Sequence, residues 1–121
     1  MNALNRGIAV SVVLVVVGLA AIAAAQSEKG VANFYNDSFQ GKKTASGEPY
    51  DKNGLTAAHK ELAYGTKVKV TNVANGKSVI VTVNDRLGKS SPAVIDVTRH
   101  AAEELDFVKN GKATVELEVI K

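Results

Sequence analysis

The segment from residue 67 to residue 83 constrains the fold most, because it contains two short apolar stretches joined by a strong turn signal. In residues 67–71 valine alternates with lysine and threonine, and in residues 79–83 valine again occupies every second position. A period of two places successive side chains on opposite faces of a β-strand. Asn75-Gly76 lies between the two stretches, and these residues tolerate the positive φ angles of a type I′ turn. The pattern predicts an antiparallel hairpin with one buried face.

The second strand of this hairpin ends in an acid, within the sequence Asn84-Asp85-Arg86. The alternation that places Val79, Val81 and Val83 on one face also places Asp85 there. An acid on a buried face loses hydration of its charged form, which favours the protonated form needed for proton donation near neutral pH. Asp85 is therefore a candidate acid. The alternative is structural, with Asp85 and Arg86 forming an ion pair that locks the strand end.

The rest of the chain contains further short strands and one helix. Strands are predicted at residues 31–35, 93–97 and 114–120, and a long loop at residues 36–53. Thr98 is the expected N-cap of a helix over residues 99–108, and Asp96 is expected to support the turn into that helix. Five or six short strands in so small a domain favour a closed barrel, because closure removes exposed edges. The predicted fold class is mainly β, with one short helix.

The first 25 residues are predicted to be a targeting segment. A short basic start precedes the apolar run of residues 8–25, whose last three alanines fit a signal peptidase site. Cleavage there leaves a polar leader at residues 26–29 and one domain at residues 30–121, in a secreted or periplasmic location. The alternative is an uncleaved anchor, since the run is close to the ~18 residues that span a bilayer. The alanine-rich end and the polar stretch after it favour cleavage.

Composition excludes several functional classes. The net charge is only +3 and the acids and bases are interleaved, which is not a nucleic-acid footprint. There is no cysteine, so neither a disulfide nor a lipid-acceptor cysteine is available. One central histidine without paired ligand spacing does not predict a zinc site. We expect no metal, no cofactor, no stable membrane contact after signal cleavage, and a monomer.

Four ionisable side chains are candidates for chemistry: Glu48 and Asp51 in the long loop, His59 after it, and Asp85. Cleavage of a glycosidic bond needs such groups, because the leaving oxygen must be protonated and the oxocarbenium-like carbon stabilised. Asp85 is the best acid, Glu48 or Asp51 could supply negative charge, and His59 could hydrogen-bond the acid. Loop carboxylates and a lone histidine are more often structural, so spacing alone leaves both interpretations open.

Six motifs follow one another in a fixed order. They are GKKTASGEPYD at residues 41–51, LTAAH at 55–59, YGTKVKVTN at 64–72, NGKSV at 75–79, VNDR at 83–86 and IDVT at 95–98. Together they resemble the rare lipoprotein A family of septal-ring lytic transglycosylases, over about residues 30–119. The resemblance implies a six-stranded double-psi β-barrel, in agreement with the strand count.

The resemblance also implies an activity and a set of site residues. The expected reaction cleaves peptidoglycan glycan strands between N-acetylmuramic acid and N-acetylglucosamine and leaves a 1,6-anhydro end. Asp85 would protonate the leaving oxygen and then, as base, take the proton from the muramic O6 hydroxyl. Glu48, Asp51 and His59 are the other catalytic positions. The expected substrate-binding residues are Tyr35, Tyr50, Arg86, Thr44 and Ser46.

Two other functions are compatible with the same barrel. One is a non-catalytic polysaccharide-binding or wall-loosening module, as in the expansins, and the other is a glycoside hydrolase that adds water. Fold alone does not choose among these functions. The enzyme interpretation predicts that Asp85 lies within hydrogen-bond reach of His59, or near Glu48, in one open groove.

Overall fold

The computed structural model of the chain describes residues 27–121. It contains one α-helix, α1 (Arg99–Glu104), and a short 3₁₀ turn at Asp37–Phe39. The six strands are β1 (Ser27–Phe34), β2 (Thr56–His59), β3 (Lys67–Asn72), β4 (Ser78–Arg86), β5 (Ile95–Val97) and β6 (Ala113–Ile120). The predicted signal segment, residues 1–25, lies outside the described residues. From residue 27 onward, no helix has the length and apolar character that a membrane span requires.

The six strands form a closed barrel in the order β1-β5-β2-β4-β3-β6. The β1–β5 and β2–β4 pairs are parallel, and the remaining pairs are antiparallel. Because the sheet closes on itself, none of these strands is left with a free edge. The predicted fold class, a mainly β six-stranded barrel with one short helix, is confirmed.

Aliphatic side chains from all six strands fill the barrel. The alternating valines of the central hairpin, Val68, Val70, Val81 and Val83, are buried as predicted. Helix α1 packs Ala101 and Ala102 against this core, and the residues after it add Leu105 and Phe107. Small barrels are held by such packed interiors, and no disulfide assists here because the chain has no cysteine.

The predicted β3–β4 hairpin is confirmed, but the predicted type I′ turn is wrong. Val68 pairs with Val81 and Val70 pairs with Val79. A type I′ turn needs positive φ at both central residues, whereas Gly76 has φ 75° and Asn75 does not adopt positive φ. Asn75 is used in another way: its side chain accepts from the Lys77 amide at 2.9 Å and donates to the Leu105 carbonyl at 3.1 Å.

Two element boundaries differ from the sequence-based expectation. β1 begins at Ser27, so residues 27–29, expected as a polar leader, pair with β6 and help to close the barrel. Helix α1 ends at Glu104, four residues before the predicted end. Asp106 adopts φ 59°, a left-handed conformation that a continuing helix does not allow. The predicted N-cap is confirmed, because the Thr98 side chain accepts from the Ala101 amide at 3.2 Å.

Candidate active site

A bulge in β4 determines where Asp85 points. Ala57 pairs with Val83, but the next residue, Ala58, pairs with Asp85, so Asn84 is an extra residue in β4. Ala57 and Val83 belong to the core, and Ala58 therefore faces the outside of the barrel. Asp85 lies opposite Ala58 and shares its outward direction. The predicted position of Asp85 on the core face is wrong, because a bulge reverses the alternation that follows it.

The carboxylate of Asp85 accepts three hydrogen bonds. The Tyr35 hydroxyl donates to Oδ2 at 2.5 Å. The backbone amides of Ala45 and Arg86 donate to Oδ1 at 2.8 and 2.9 Å. An ionised carboxylate is an acceptor on both oxygens, so three donors match its charged form. The side chain is only partly buried, which leaves it accessible from the outer face of the barrel.

Tyr35 is held in place by backbone and ring contacts. Its amide donates to the Val97 carbonyl at 3.1 Å, immediately after β1 ends. Its ring stacks on that of Tyr50, with centroids 4.3 Å apart, and meets Phe39 edge-on at 5.9 Å. Burial, the hydrogen bond to Asp85 and the charges of Asp85 and Asp96 all raise the pKa of the Tyr35 hydroxyl. The hydroxyl therefore remains a neutral donor to Asp85.

The loop before β2 folds into a small hairpin that supplies the Ala45 amide. An isolated bridge joins Lys43 to Pro49, and the Thr44 amide donates to the Glu48 carbonyl at 2.8 Å. The Thr44 hydroxyl donates to the same carbonyl at 2.7 Å and lies 2.9 Å from the Ser46 hydroxyl. The Thr44 and Ser46 hydroxyls therefore stabilise this loop.

The small hairpin is fixed to the bulge of β4. The Ser46 amide donates to the carbonyl of the extra residue, Asn84, at 3.2 Å. Glu48 is exposed on the same hairpin. Asp51 is also exposed, and its Oδ1 accepts from the Asn53 amide at 3.0 Å. The structure thus brings the segment of Glu48 to the strand end of Asp85, while both loop carboxylates face solvent.

His59 does not join Asp85. Its side chain is 8% exposed, and Nδ1 accepts from the backbone amides of Glu61 and Leu62, each at 3.1 Å. Nε2 must then carry the proton, which it donates to Oε1 of Glu28 at 2.9 Å. His59 follows Ala58 in β2, so it faces the other side of the strand from Asp85. The expected hydrogen bond between His59 and the acid is therefore not made.

Two other expected substrate-binding residues, Tyr50 and Arg86, lie near Asp85, one buried and one exposed. Tyr50 is 2% exposed, and its hydroxyl accepts from the Arg99 amide at 3.2 Å. It supports the ring of Tyr35 from below. Arg86 is exposed, with its guanidinium 4.4 Å above the ring of Tyr64. Arg86 and Tyr64 form an exposed cation–aromatic pair. Because Arg86 follows Asp85 in β4, this pair lies next to the acid.

Asp96 is the residue whose position the sequence analysis missed. It pairs with Ala58 from the side of β5, while Asp85 pairs with Ala58 from the side of β4. Asp96, Ala58 and Asp85 therefore form one row across three adjacent strands, on the outside of the barrel; we call this row the acidic face. Asp96 does not cap the helix, which is the role of Thr98. The only signal in the sequence was a single acid between two buried residues.

Burial, and after it the negative charge of Asp85, raises the pKa of Asp96. Its Oδ1 is the one buried side-chain polar atom between residues 27 and 121 that has no hydrogen-bond partner. In the same part of the chain, no three histidine, cysteine or acidic side chains are grouped to hold a metal ion. The acidic face thus offers two carboxyl groups in unlike environments.

A closed six-stranded barrel with two parallel pairs, bearing two carboxyl groups on one outer face, defines a double-psi β-barrel protein with an acidic site. Solved structures show the same fold. The Streptomyces papain inhibitor superposes with a TM-score of 0.64 at 21% identity, over 79% of this chain and 96% of its own. An expansin from Clavibacter michiganensis gives 0.62 at 21% identity, over 78% of this chain and 50% of its own.

The amino-acid sequence identifies the family of the chain more specifically than the fold does. The model of the lytic transglycolase family matches residues 27–117, and the chain belongs to this family. It is 50% identical over 91 residues to the endolytic peptidoglycan transglycosylase RlpA of Pseudomonas aeruginosa, covering 75% of this chain and 27% of that protein. The RlpA of Campylobacter jejuni is 44% identical over 99 residues, covering 82% of this chain and 36% of that protein. The predicted family is confirmed, and the chain spans well under half the length of these relatives.

Proposed function

We propose that this domain is an endolytic lytic transglycosylase of peptidoglycan. It would cleave glycan strands between N-acetylmuramic acid and N-acetylglucosamine and leave a 1,6-anhydro end. Membership of the lytic transglycolase family and the names of its relatives support the reaction class. The observation that carries the proposal is the accessible carboxylate of Asp85, which three donors hold at the end of β4.

Asp85 suits a reaction in which the substrate supplies its own nucleophile. The muramic O6 hydroxyl attacks C1 of the same sugar, so no second carboxylate has to activate water. An ionised Asp85 would take the O6 proton and place negative charge beside the oxocarbenium-like carbon. The sequence-based interpretation gave Asp85 the acid step as well. That step needs a protonated group, whereas the donors around Asp85 match its charged form.

The surrounding residues would have supporting roles in this reaction. Glu48 and Asp51 are exposed near the loop that contacts Asp85, where they would orient the sugar hydroxyls. Arg86 would contact the glycan at the rim of the site. Tyr35 and Tyr50 would shape the floor of the site, and Thr44 and Ser46 would keep its loop in place.

His59 would contribute indirectly. Its ring fixes the backbone that follows β2 through the amides of Glu61 and Leu62. Its carbonyl accepts from the guanidinium of Arg86 at 3.2 Å and so helps to position that side chain. A peptidoglycan substrate implies a location in the cell envelope. We propose that the domain is secreted or periplasmic and that it acts as a monomer.

Digestion of purified peptidoglycan sacculi by the full chain tests this function. We expect anhydromuramoyl ends among the released fragments, measured by mass spectrometry, and their loss in Asp85→Asn. Asp106→Asn is the matched control, because Asp106 is an exposed acid beside Lys77, outside the acidic face. Binding to sacculi without release would indicate a polysaccharide-binding module instead. Release of ordinary reducing ends would indicate a hydrolase.

A further inference from the structure

The carboxyl group of Asp96 is buried in a way that its structural surroundings do not explain. Its Oδ1 has no hydrogen-bond partner, and an unsatisfied buried polar atom costs free energy of about 1–3 kcal/mol. Asp96 forms no ion pair with any described lysine, arginine or histidine, and the helix N-cap is supplied by Thr98. An unsatisfied buried polar atom in a folded protein needs an explanation, and a catalytic role is one of those known.

The strand pairing places this carboxyl group beside Asp85. Both residues are opposite Ala58, on neighbouring strands to either side of it. Two strand spacings separate their Cα atoms by about 9–10 Å, and both side chains point outward from the barrel. The methyl group of Ala58 is the only side chain between them in the row. Ala58 is 2% exposed, so neighbouring side chains cover it, whereas Asp85 and Asp96 are each partly exposed.

The two carboxyl groups have different surroundings. Asp85 has three donors, which match an ionised carboxylate. Asp96 has an oxygen without a donor and is partly buried, and the charge of Asp85 faces it across Ala58. The other ionisable group facing this pair is Tyr35, a neutral donor. Paired titratable groups whose surroundings separate their protonation states are a recognised arrangement for an acid and a base.

The geometry points to Asp96 as the general acid of the site, with Asp85 as its base; this rests on the proposed function. The protonated carboxyl group of Asp96 gives its proton to the glycosidic oxygen as the bond from C1 to the N-acetylglucosamine O4 breaks. The muramic O6 then forms its bond to C1, and its proton passes to Asp85. One proton leaves Asp96 and one arrives at Asp85, so exchange with solvent at the partly exposed carboxyl groups restores the starting state.

Leaving-group dependence tests this assignment. The full chain and its Asp96→Asn variant would be compared on sacculi and on a nitrophenyl glycoside of a peptidoglycan disaccharide, whose leaving group needs no protonation. On sacculi, we expect Asp96→Asn to lose about 100-fold or more of the wild-type rate, in the range of general acid catalysis. On the nitrophenyl glycoside, the loss should be below about tenfold. Asp85→Asn should lose both activities.

The outcomes separate this inference from the proposed function. A wild-type chain that gives no anhydro ends from sacculi would overturn the function itself. A wild-type chain that gives them, with Asp96→Asn equally active on sacculi, would overturn only the role of Asp96. Equal losses on both substrates would also overturn it, because a structural residue does not distinguish between leaving groups.

A measurement without turnover covers the case in which Asp96→Asn does not fold. Carbon-13 titration of the Asp96 carboxyl group in the full chain should give a midpoint above that of an ordinary aspartate. The midpoint should fall in Asp85→Asn, because the negative charge across Ala58 is then gone. An ordinary midpoint that does not respond to Asp85→Asn would overturn the inference.

Discussion

The hydroxyl of Tyr35 lies 2.5 Å from Oδ2 of Asp85, across 50 residues of sequence. In the barrel, Tyr35 follows β1 and Asp85 lies near the end of β4, with β5 and β2 between these two strands. The tyrosine side chain therefore extends across the acidic face. Burial, then the hydrogen bond and charge of Asp85, and then the charge of Asp96 raise the pKa of the Tyr35 hydroxyl, as expected of a hydroxyl that lies near both carboxyl groups.

Replacement of Tyr35 by phenylalanine should lower activity with little loss of stability. Phenylalanine keeps the stacking on Tyr50 but removes one of the three donors to Asp85. A hydrogen bond to a charged group contributes about 1.5–3 kcal/mol, so we expect roughly a 10- to 100-fold slower release of anhydromuramoyl ends. Tyr35→Leu should in addition lower the melting temperature, since it also loses the ring contacts. A wild-type rate in Tyr35→Phe would show that this hydrogen bond does not support catalysis.

The burial of Asp96 should make stability depend on pH. Its pKa is raised in the folded state, by burial first and by Asp85 second. Between the unfolded and folded pKa values the folded chain binds more protons, so this group makes stability fall as pH rises through that window. We expect Asp96→Asn to be more stable than wild type at pH 7 and the difference to vanish below about pH 4, near the ordinary pKa of aspartate. Denaturant unfolding at several pH values measures this.

Asp106→Asn provides the comparison for that experiment. The Asp106 side chain is 73% exposed, so its neutralisation relieves no burial. It should show no comparable gain at pH 7. If Asp96→Asn were less stable than wild type at pH 7, Asp96 would be a structural acid whose partners the folded state requires.

Removal of the His59 ring should destabilise the fold. His59→Ala leaves the amides of Glu61 and Leu62 without their acceptor, and each such loss costs about 1–3 kcal/mol when the group is buried. Glu28→Gln is the matched control: it retains an acceptor for Nε2, and the Glu28 side chain is 46% exposed. Its cost should be below about 1 kcal/mol. Loss of activity in His59→Ala at unchanged stability would instead place His59 among the reacting groups.

A close approach between β1 and the residue before β5 should make Gly30 sensitive to substitution. A Cβ atom at Gly30 would lie 2.4 Å from Cγ1 of Val94, which is shorter than any allowed contact. We expect Gly30→Ala to cost about 1–3 kcal/mol, as overpacking of a core does. The double variant with Val94→Ala should recover part of that loss, seen as a coupling free energy above about 0.5 kcal/mol. Additive losses would mean that the backbone at Gly30, and not Val94, opposes the substitution.

Features that depend on local pattern were predictable from the sequence. The alternating valines of the β3–β4 hairpin and the Thr98 cap follow from residue periods and side-chain chemistry within a few positions. The outward direction of Asp85 was not predictable in this way. It depends on the extra residue Asn84, and that bulge exists only in the pairing of β4 with β2.

Several residues of the site could be predicted from the sequence, but fewer of the contacts between them could. The motifs brought Asp85 and the loop of Glu48 into one hypothesis, and the loop does contact Asp85, through the Ala45 amide. The partner of His59, Glu28, lies 31 residues away and in a segment expected to be a leader. Asp96 could be placed opposite Ala58 only once the order of the strands was known. The sequences of β2 and β5 do not by themselves show that these two strands are neighbours.

β6 lies between β1 and β3, so the sheet closes only when the last strand is in place. Ser27 pairs with Glu118, and contacts this distant in sequence form late because a long loop must first be ordered. A state in which the other five strands have formed and β6 has not would leave β1 and β3 with one unpaired edge each. Unpaired edges are templates for aggregation. The solubility of the folding chain would then depend on how quickly residues 113–120 pair with both of these edges.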